Sequence, residues 1–211
     1  MAALYDGAFY TGLVGRVMNA GHRLLEKPFG PGEYFDRVIE VGAGTGAHVD
    51  FVRHGFGEYL VTDIDQAALD VARQRTNRQG VSFEVRDATS LGYPDDYFDR
   101  LVSVYNLEHL PSPEAVLREW ARVVRPGGVL SIAVPTEGGM AWGLGRWMST
   151  RRHFRRMGVD YDYVVAREHV NSCSRLVAFL RHYFPERDER WYPFRLSITH
   201  PNLILACTIH V

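Results

Sequence analysis

Residues 38–46 read Val-Ile-Glu-Val-Gly-Ala-Gly-Thr-Gly, a short apolar run that carries one carboxylate and ends in three glycines. The apolar part has the composition of a buried strand. Gly42, Gly44 and Gly46 have no side chains that would keep a ligand away from the backbone, and a helix starting after them would point unpaired N–H groups at that ligand. The stretch therefore predicts a strand, a tight turn and a helix that together bind a nucleotide-type ligand.

Two ligand classes fit this turn, because Gly42, Gly44 and Ala47 also satisfy the dinucleotide fingerprint G-x-G-x-x-G/A. Glu40 stands two residues before the first glycine, where its charge would repel a pyrophosphate and attract a ligand with a positively charged aminoacyl and sulfonium part. A nicotinamide oxidoreductase would also need a second domain, which 211 residues hardly allow. Lys27 is the single lysine, so no Tyr-x-x-x-Lys pair exists.

The composition bounds the partners of the protein. The chain has 24 lysines and arginines against 25 acidic residues, so its overall field gives no reason to expect nucleic acid or a membrane surface. Asp6 and Arg16 argue against a signal peptide, and no apolar run is long enough for a membrane span. Cys173 and Cys207 are isolated, so neither a metal site nor a disulfide is expected. We expect a cytoplasmic protein that acts on a small molecule. The sequence does not determine its oligomeric state.

Alternating periodicities predict an α/β domain with a parallel sheet covered on both faces. Strands are expected at 37–41, 58–62, 81–86, 98–104 and 128–134. One or two helices are expected within 3–25, and single helices at 46–54, 66–78, 113–124 and 172–184. Two last strands, 190–198 and 202–210, are expected to form an antiparallel hairpin through residues 199–202. The prediction is one domain, 1–211, made of a helical cap (1–36), a core (37–134), a substrate lid (135–168) and a C-terminal helix with the hairpin (169–211).

Three acids follow three successive predicted strands beside the glycine turn. Glu40 lies at the end of the first strand, Asp63 ends the second and Asp87 ends the third. A carboxylate at the position of Asp63, about 20 residues after the glycines, can accept both hydroxyls of a ribose. Asp87 can accept a hydrogen bond from an adenine amino group. Each acid alone could be a turn cap, but the combination with the glycines favours a nucleoside site.

Six motifs in chain order give a resemblance to a known family. They are Val38-Ile-Glu-Val-Gly-Ala-Gly-Thr-Gly46, Val61-Thr-Asp-Ile-Asp65, Arg86-Asp-Ala88, Pro94-Asp-Asp-Tyr-Phe-Asp99, Leu107-Glu-His-Leu110 and Arg122-Val-Val-Arg-Pro-Gly-Gly128. With them, residues 38–132 resemble the core of class I S-adenosylmethionine-dependent methyltransferases, in the branch that includes quinone and many small-molecule methyltransferases. The resemblance implies a Rossmann-like, seven-stranded, mostly parallel sheet in the order 3-2-1-4-5-7-6, and S-adenosylmethionine as cofactor.

The family's cofactor contacts can be transferred to matching residues. The resemblance implies that the loop holds the methionine part, that Asp63 holds the ribose while Ile64 packs on the adenine, and that Asp87 reaches the adenine. The residues that it assigns to the cofactor are Glu40, Gly42, Ala43, Gly44, Gly46, Asp63, Ile64, Asp87, Ala88 and Asn106.

The acceptor side is predicted from the end of the fourth strand. His109 lies near where the methyl group should project, so it is the candidate general base; it could instead brace the loop before Ser112, which the breadth of the resemblance favours. Tyr105 is expected to line the substrate site. Glu168-His169 precedes the 172–184 helix and is interpreted as a cap or an ion pair.

The segment between the fifth strand and the 172–184 helix is rich in arginine and aromatic residues. It carries Arg146, Arg151, Arg152, Arg155 and Arg156 with Trp142, Trp147, Tyr161 and Tyr163. Like charges four residues apart on a helix repel each other unless an anion compensates them, and Asp160 and Asp162 could supply that compensation. The run is therefore either a solvated face or a lid for an anionic substrate, with Arg151, Arg155 and Tyr161 as candidate contacts; glycines 138, 139, 143 and 145 are expected to be exposed in it.

The function expected from the sequence is methyl transfer from S-adenosylmethionine to a small molecule. The favoured acceptor is an oxygen of a polar or anionic metabolite, such as a glycosyl or natural-product intermediate, and this choice rests on the arginine-rich segment alone. Nitrogen methylation and a non-catalytic activating subunit that keeps the fold are the alternatives.

Overall fold

The computed structural model describes residues 12–145, 147, 151, 155, 158 and 160–211. The helices are α1 (Gly12–Glu26), α2 (Gln66–Arg75), α3 (Pro113–Val123), α4 (Met140–Gly145), α5 (Tyr161–Glu168) and α6 (Cys173–Tyr183). The strands are β1 (Tyr34–Val41), β2 (Gly55–Asp63), β3 (Val81–Val85), β4 (Phe98–Val104), β5 (Val124–Pro135), β6 (Arg187–Tyr192) and β7 (Ile204–His210). Short 3₁₀ helices span Ala47–Phe51 and Leu107–His109.

Seven strands form one sheet in the order β3-β2-β1-β4-β5-β7-β6, which confirms the predicted order. Strands β1 to β5 pair in parallel, and β7 pairs antiparallel with both β5 and β6. The direction of the strand order reverses between β1 and β4. In open α/β sheets the ligand crevice lies at such a reversal, beyond the carboxyl ends of the strands.

Alternate residues of the strands face two separate cores. Ile39 and Val41 belong to one cluster, which α3 and α6 cover with residues such as Trp120 and Leu176. Val38 belongs to the other cluster, which includes Leu25 of α1 and Leu69 of α2. Because successive side chains of a strand point to opposite faces, this division places α1 and α2 on one face of the sheet and α3 and α6 on the other.

The helix expected at 46–54 is wrong in type and length. The chain forms only the 3₁₀ helix Ala47–Phe51 after Gly46, whose φ is 72°. β2 begins already at Gly55, where Gly55 N–H bonds to the carbonyl of Glu33, so the residues before it must become extended. The first predicted helix, 3–25, is described from Gly12 onward; its residues 3–11 lie outside the described part.

The final antiparallel pair is confirmed, but its predicted turn is wrong. β6 ends at Tyr192 and β7 begins at Ile204, so the connection is 193–203 and not the four residues 199–202. Pro193 has no N–H to continue the ladder. Asn202 organises the longer loop, since its Oδ1 accepts from Phe194 N–H and its Nδ2 donates to the carbonyls of Leu196 and Ile198.

Candidate functional site

The glycine turn after β1 has the conformation that its sequence requires. Gly42, Gly44 and Gly46 have φ angles of 68°, 55° and 72°, which residues with side chains rarely adopt. A Cβ atom on Gly42 would lie 2.2 Å from Cγ of Asn106, whereas one on Gly44 would meet nothing within 4 Å. The turn is therefore packed against β4 at its first glycine and open at its second.

Asp63 connects the end of β2 to this turn. Its Oδ2 accepts from Gly44 N–H at 2.7 Å, and its Oδ1 accepts from Asp65 N–H at 2.9 Å. The next side chain, Ile64, is 71% exposed beside it. Asp65 caps α2 by accepting a hydrogen bond from Ala67 N–H. A carboxylate and an exposed apolar side chain thus stand next to the open glycine.

Asp87 and Ala88 follow β3 at the same edge of the sheet. Oδ1 of Asp87 accepts from both N–H and Oγ1 of Thr89, and these bonds, the side-chain one first, lower the pKa of Asp87. Its carboxylate is therefore charged at neutral pH. Ala88 is buried, and its carbonyl accepts from the indole N–H of Trp120 at 2.9 Å. Helix α3 thereby fixes the backbone that carries both residues.

Glu40 lies in the interior. Its carboxyl group accepts a hydrogen bond from the Tyr59 hydroxyl at 2.8 Å, and burial raises the pKa of Glu40. The expected attraction of a positively charged ligand to Glu40 stays a prediction. In the structure Glu40 lies beneath the turn, and its hydrogen bond with Tyr59 connects β1 to β2.

Tyr105 and Asn106 leave the end of β4 at the reversal of the sheet. Nδ2 of Asn106 donates to the carbonyl of Val41 at 3.4 Å, so its amide lies against the glycine turn. Tyr105 has a φ of 56°, and its hydroxyl donates to the carbonyl of Met18 in α1 at 2.7 Å. Asn106 therefore stands on the expected cofactor side, while the Tyr105 ring is held under α1.

Comparisons with known proteins agree with this geometry. A family model described as "Methyltransferase domain" matches residues 39–132. Residues 39–132 form a class I S-adenosylmethionine-dependent methyltransferase domain. The methyltransferase GfsG of Streptomyces halstedii is 36% identical over 124 residues, which cover 54% of this chain and 44% of that protein.

Two further proteins extend the comparison. The ubiquinone/menaquinone biosynthesis C-methyltransferase UbiE of Chromobacterium violaceum is 35% identical over 46% of this chain and 42% of its own length. The N-methyltransferase NodS of Bradyrhizobium japonicum WM9, solved with S-adenosylhomocysteine, shares the fold with a TM-score of 0.60 at 17% identity, covering 93% of this chain and 87% of that one. The matched segments thus span less than half of the two sequence relatives.

The residues of the methyltransferase domain fit its cofactor. The open Gly44 leaves space above bare backbone, and Asp63 offers a carboxylate beside it. Ile64 offers an exposed apolar surface of the kind on which a base can pack. No pyrophosphate-binding cation projects from residues 42–46, which are glycine, alanine and threonine. The assignment of individual contacts remains the one that the sequence predicts.

A second group of polar side chains surrounds the ends of β4 and β5. Glu137 follows β5, and its Oε1 accepts from the indole N–H of Trp142 while its Oε2 is 2.5 Å from Nδ1 of His169. Nδ1 of His109 donates to the carbonyl of Glu168 at 3.0 Å. Burial and the neighbouring His169 lower the pKa of His109. The geometry therefore gives His169 a hydrogen bond to Glu137, at the position where the sequence predicts a cap or an ion pair.

Glu108 lies behind this group and is 2% exposed. Burial, with a smaller contribution from the charge of Glu137, raises the pKa of Glu108 to about 8. The side chain is therefore mostly protonated at neutral pH. Its backbone carbonyl accepts from Asn171 N–H, and Nδ2 of Asn171 donates to the carbonyl of Leu110, which ties the 3₁₀ turn of β4 to the start of α6.

The predicted lid is described in part. Arg151 and Arg155 are exposed, as are Trp147 and Tyr163. Arg146, Arg152 and Arg156 lie outside the described residues, as does the side chain of Tyr161. Glycines 138, 143 and 145 are exposed as predicted. Gly139 is buried, since it packs so closely against Thr199 that a Cβ on Gly139 would lie 2.7 Å from the carbonyl oxygen of Thr199.

Sequence reasoning missed a buried charged cluster beneath the glycine turn. Glu26 of α1 accepts from Nε2 of His48 at 3.0 Å and pairs with Arg100 at 2.7 Å. Burial opposes ionisation of Glu26, but the bond from His48 and the charge of Arg100 together lower its pKa to about 2. Nδ1 of His22 contacts Nδ1 of His48 at 3.0 Å. The cluster attaches α1 to the 3₁₀ helix that follows the turn.

Glu137 was also missed, although a signal for it was present. It stands two residues after Pro135, at the carboxyl end of a strand, where the same reasoning identified Asp63 and Asp87. The described residues contain no cluster of side chains suited to hold a metal ion. In the same residues, every helix is too short or too polar to cross a bilayer.

Proposed function

We propose that this chain transfers the methyl group of S-adenosylmethionine to a small-molecule acceptor, at an oxygen of a polar or anionic metabolite such as a glycosyl or natural-product intermediate. The observation that carries the proposal is the bond from Gly44 N–H to Asp63 at the reversal of the strand order. This bond holds a carboxylate beside an open backbone, at the edge where this architecture binds ligands, and supports our assignment of Asp63 to the ribose.

Each part of the cofactor has candidate partners in this chain. Asp63 would accept the ribose hydroxyls, with Ile64 and Ala88 against the adenine and Asp87 near its amino group. The glycine turn would hold the methionine part through its N–H groups. When bound, S-adenosylmethionine supplies an electrophilic methyl group. The remaining work of the protein is to align the acceptor with it and to exclude water.

The proposal of an anionic acceptor is supported by the arginine-rich segment. The relative GfsG is named only as a methyltransferase, so its name leaves the acceptor atom open. The exposed Arg151 and Arg155 support an anionic acceptor, because two like charges four residues apart favour an anion near them. Nitrogen methylation and a non-catalytic subunit are the alternatives. In a screen of acceptors, a methylated amine product would indicate the first, and cofactor binding without turnover would indicate the second.

Carbon methylation of an aromatic ring is a second candidate. It is favoured by the similarity to UbiE, which is named as a C-methyltransferase and is 35% identical over 105 residues. The two candidates differ in their product. Incubation with isotopically labelled S-adenosylmethionine and either hydroquinones or glycosylated hydroxy compounds, followed by NMR of the labelled methyl carbon, distinguishes an O-methyl from a C-methyl group.

Calorimetry with S-adenosylhomocysteine tests the cofactor part of the proposal. Asp63→Ala removes both carboxylate bonds of the turn and the ribose acceptors, so we expect a loss of affinity of roughly 5- to 150-fold, equivalent to about 1–3 kcal/mol. Asp70→Ala is the matched control, because Asp70 lies nearby on α2 with a side chain that is 56% exposed. Equal affinity for NAD, or an unchanged affinity of Asp63→Ala, would refute the assignment.

A further inference from the structure

Glu137 and His169 form a pair that resembles the base half of a hydrolytic triad. Oε2 of Glu137 lies 2.5 Å from Nδ1 of His169, and their side chains are 9% and 20% exposed. The second oxygen of Glu137 accepts from Trp142, so the carboxylate is held from both sides. A carboxylate that accepts from Nδ1–H leaves the lone pair of a neutral imidazole on Nε2.

His109 braces the same imidazole from the side. The ring centroids of His109 and His169 are 4.4 Å apart at an interplanar angle of 78°. The bond from Nδ1 of His109 to the carbonyl of Glu168 fixes the orientation of the His109 ring. In the part of the chain that the structure describes, Nε2 of His169 has no hydrogen-bond partner, and its ring is one-fifth exposed. A proton acceptor that is oriented and accessible is the arrangement that general-base catalysis needs.

A short series of contacts connects this pair to the cofactor turn. Asn106 packs against Gly42, and its carbonyl accepts from His109 N–H at 3.0 Å. His109 contacts His169, and His169 contacts Glu137, which follows β5. Since β4 and β5 lie on the other side of the sheet reversal from β1, β2 and β3, the pair stands on the acceptor side of the crevice.

The charges around His169 come from three elements. Glu137 contacts it from the end of β5, and His109 contacts it from the 3₁₀ turn after β4, in which Glu108 is buried. Glu168 precedes it on α5, where Arg167 is bonded to the Glu168 carboxylate. Because the pKa of Glu108 is raised to about 8, the carboxylates that carry negative charge near the imidazole at neutral pH are those of Glu137, which contacts it, and Glu168.

We propose that His169 accepts the proton of the acceptor hydroxyl through Nε2, and that Glu137 and His109 position its ring. This inference rests on the proposed function. The acceptor oxygen forms its bond to the methyl carbon as its O–H bond breaks; the proton goes to Nε2 and later to water, and the electron pair of the broken carbon–sulfur bond stays on sulfur. Glu137 keeps the imidazolium paired during this transfer.

NMR titration of the histidine rings tests the inference without a known acceptor. The probes are S-adenosylhomocysteine, which is neutral at sulfur, and sinefungin, which places a protonated amine where the methyl group would be. If the His169 ring faces that position, the midpoint of its NMR titration should be roughly one pH unit lower with sinefungin than with S-adenosylhomocysteine. The reason is that a nearby positive charge opposes protonation of the ring. His182, exposed on α6, is the control and should titrate equally in both complexes.

Variants separate positioning from folding. His169→Gln identifies which NMR signal belongs to the His169 ring. In the protein without ligand, Glu137→Gln should lower the titration midpoint of His169 by roughly one pH unit, because it removes the neighbouring carboxylate. Glu137→Asp keeps a carboxylate and should restore part of that loss. Equal His169 midpoints in the two complexes, or a shift at His109 alone, would overturn the assignment of the base even if Glu137→Gln does not fold. Failure to bind S-adenosylhomocysteine would instead overturn the proposed function, and this inference with it.

Discussion

Replacing Glu108 with glutamine should stabilise the protein increasingly as the pH rises. Glu108 is 2% exposed, and burial is the main reason why its pKa is raised from 4.5 to about 8. The folded state therefore keeps a proton that the unfolded state releases above pH 4.5. Stability conferred by this residue is highest below that value and falls as the pH rises toward 8, because the folded protein binds more protons in this range. Glutamine cannot ionise in either state.

The difference between the pKa values of Glu108 in the folded and unfolded states sets the size of the effect. At about 1.4 kcal/mol per pKa unit, the advantage of Glu108→Gln should grow by about 3–4 kcal/mol between roughly pH 5 and pH 8.5. Urea unfolding of both proteins across this range measures the difference in free energy. Glu186→Gln, at an exposed glutamate, is the matched control and should show no such growth. A difference between parent and Glu108→Gln that is independent of pH would refute the reasoning that Glu108 is held neutral.

Two other variants, one single and one double, test the turn and the arginine segment. Gly42→Ala should weaken S-adenosylhomocysteine binding by about tenfold or more in calorimetry, because its φ is 68° and its Cβ would lie 2.2 Å from Asn106; Gly143→Ala, whose Cβ would meet nothing within 4 Å, is the control. Changing Arg151 and Arg155 together to glutamate should raise the acceptor KM about tenfold or more if an anionic group docks there, with cofactor affinity and Tm near the parent values. An unchanged KM would favour a solvated arginine face.

The cofactor half of the site could be predicted because its signals are local. The glycine turn needs positive φ angles at fixed positions, and Asp63 and Asp87 follow strands whose apolar runs are visible in the sequence. Parallel strands bring their carboxyl ends to one edge, so the strand pattern alone placed these acids together. The strand order came from the family resemblance, since periodicity does not give the order of strands in a sheet.

The acceptor half could not be predicted in the same way. Glu137 and His169 are 32 residues apart, and their contact depends on how the intervening chain returns to the end of β5. The loop 193–203 was misplaced for a related reason: Asn202 satisfies three backbone groups of that loop, and no short-range turn pattern encodes such a contact. Gly139, expected to be exposed, is buried by the same loop.

The stretch Leu107-Glu-His-Leu110 gains a more specific interpretation from the structure. The sequence left His109 as either a base or a brace, and Glu108 without a role. Glu108 and Glu137 come from neighbouring elements, and two ionised carboxylates there would repel each other. Burial instead keeps a proton on Glu108, so that of these two carboxyl groups it is Glu137, which contacts His169, that carries the charge. Environments that push neighbouring groups toward different protonation states are how a site assigns roles to them. By this argument the 3₁₀ turn affects His169 in two ways. The side chain of Glu108 stays neutral, and the ring of His109 is fixed beside the imidazole of His169.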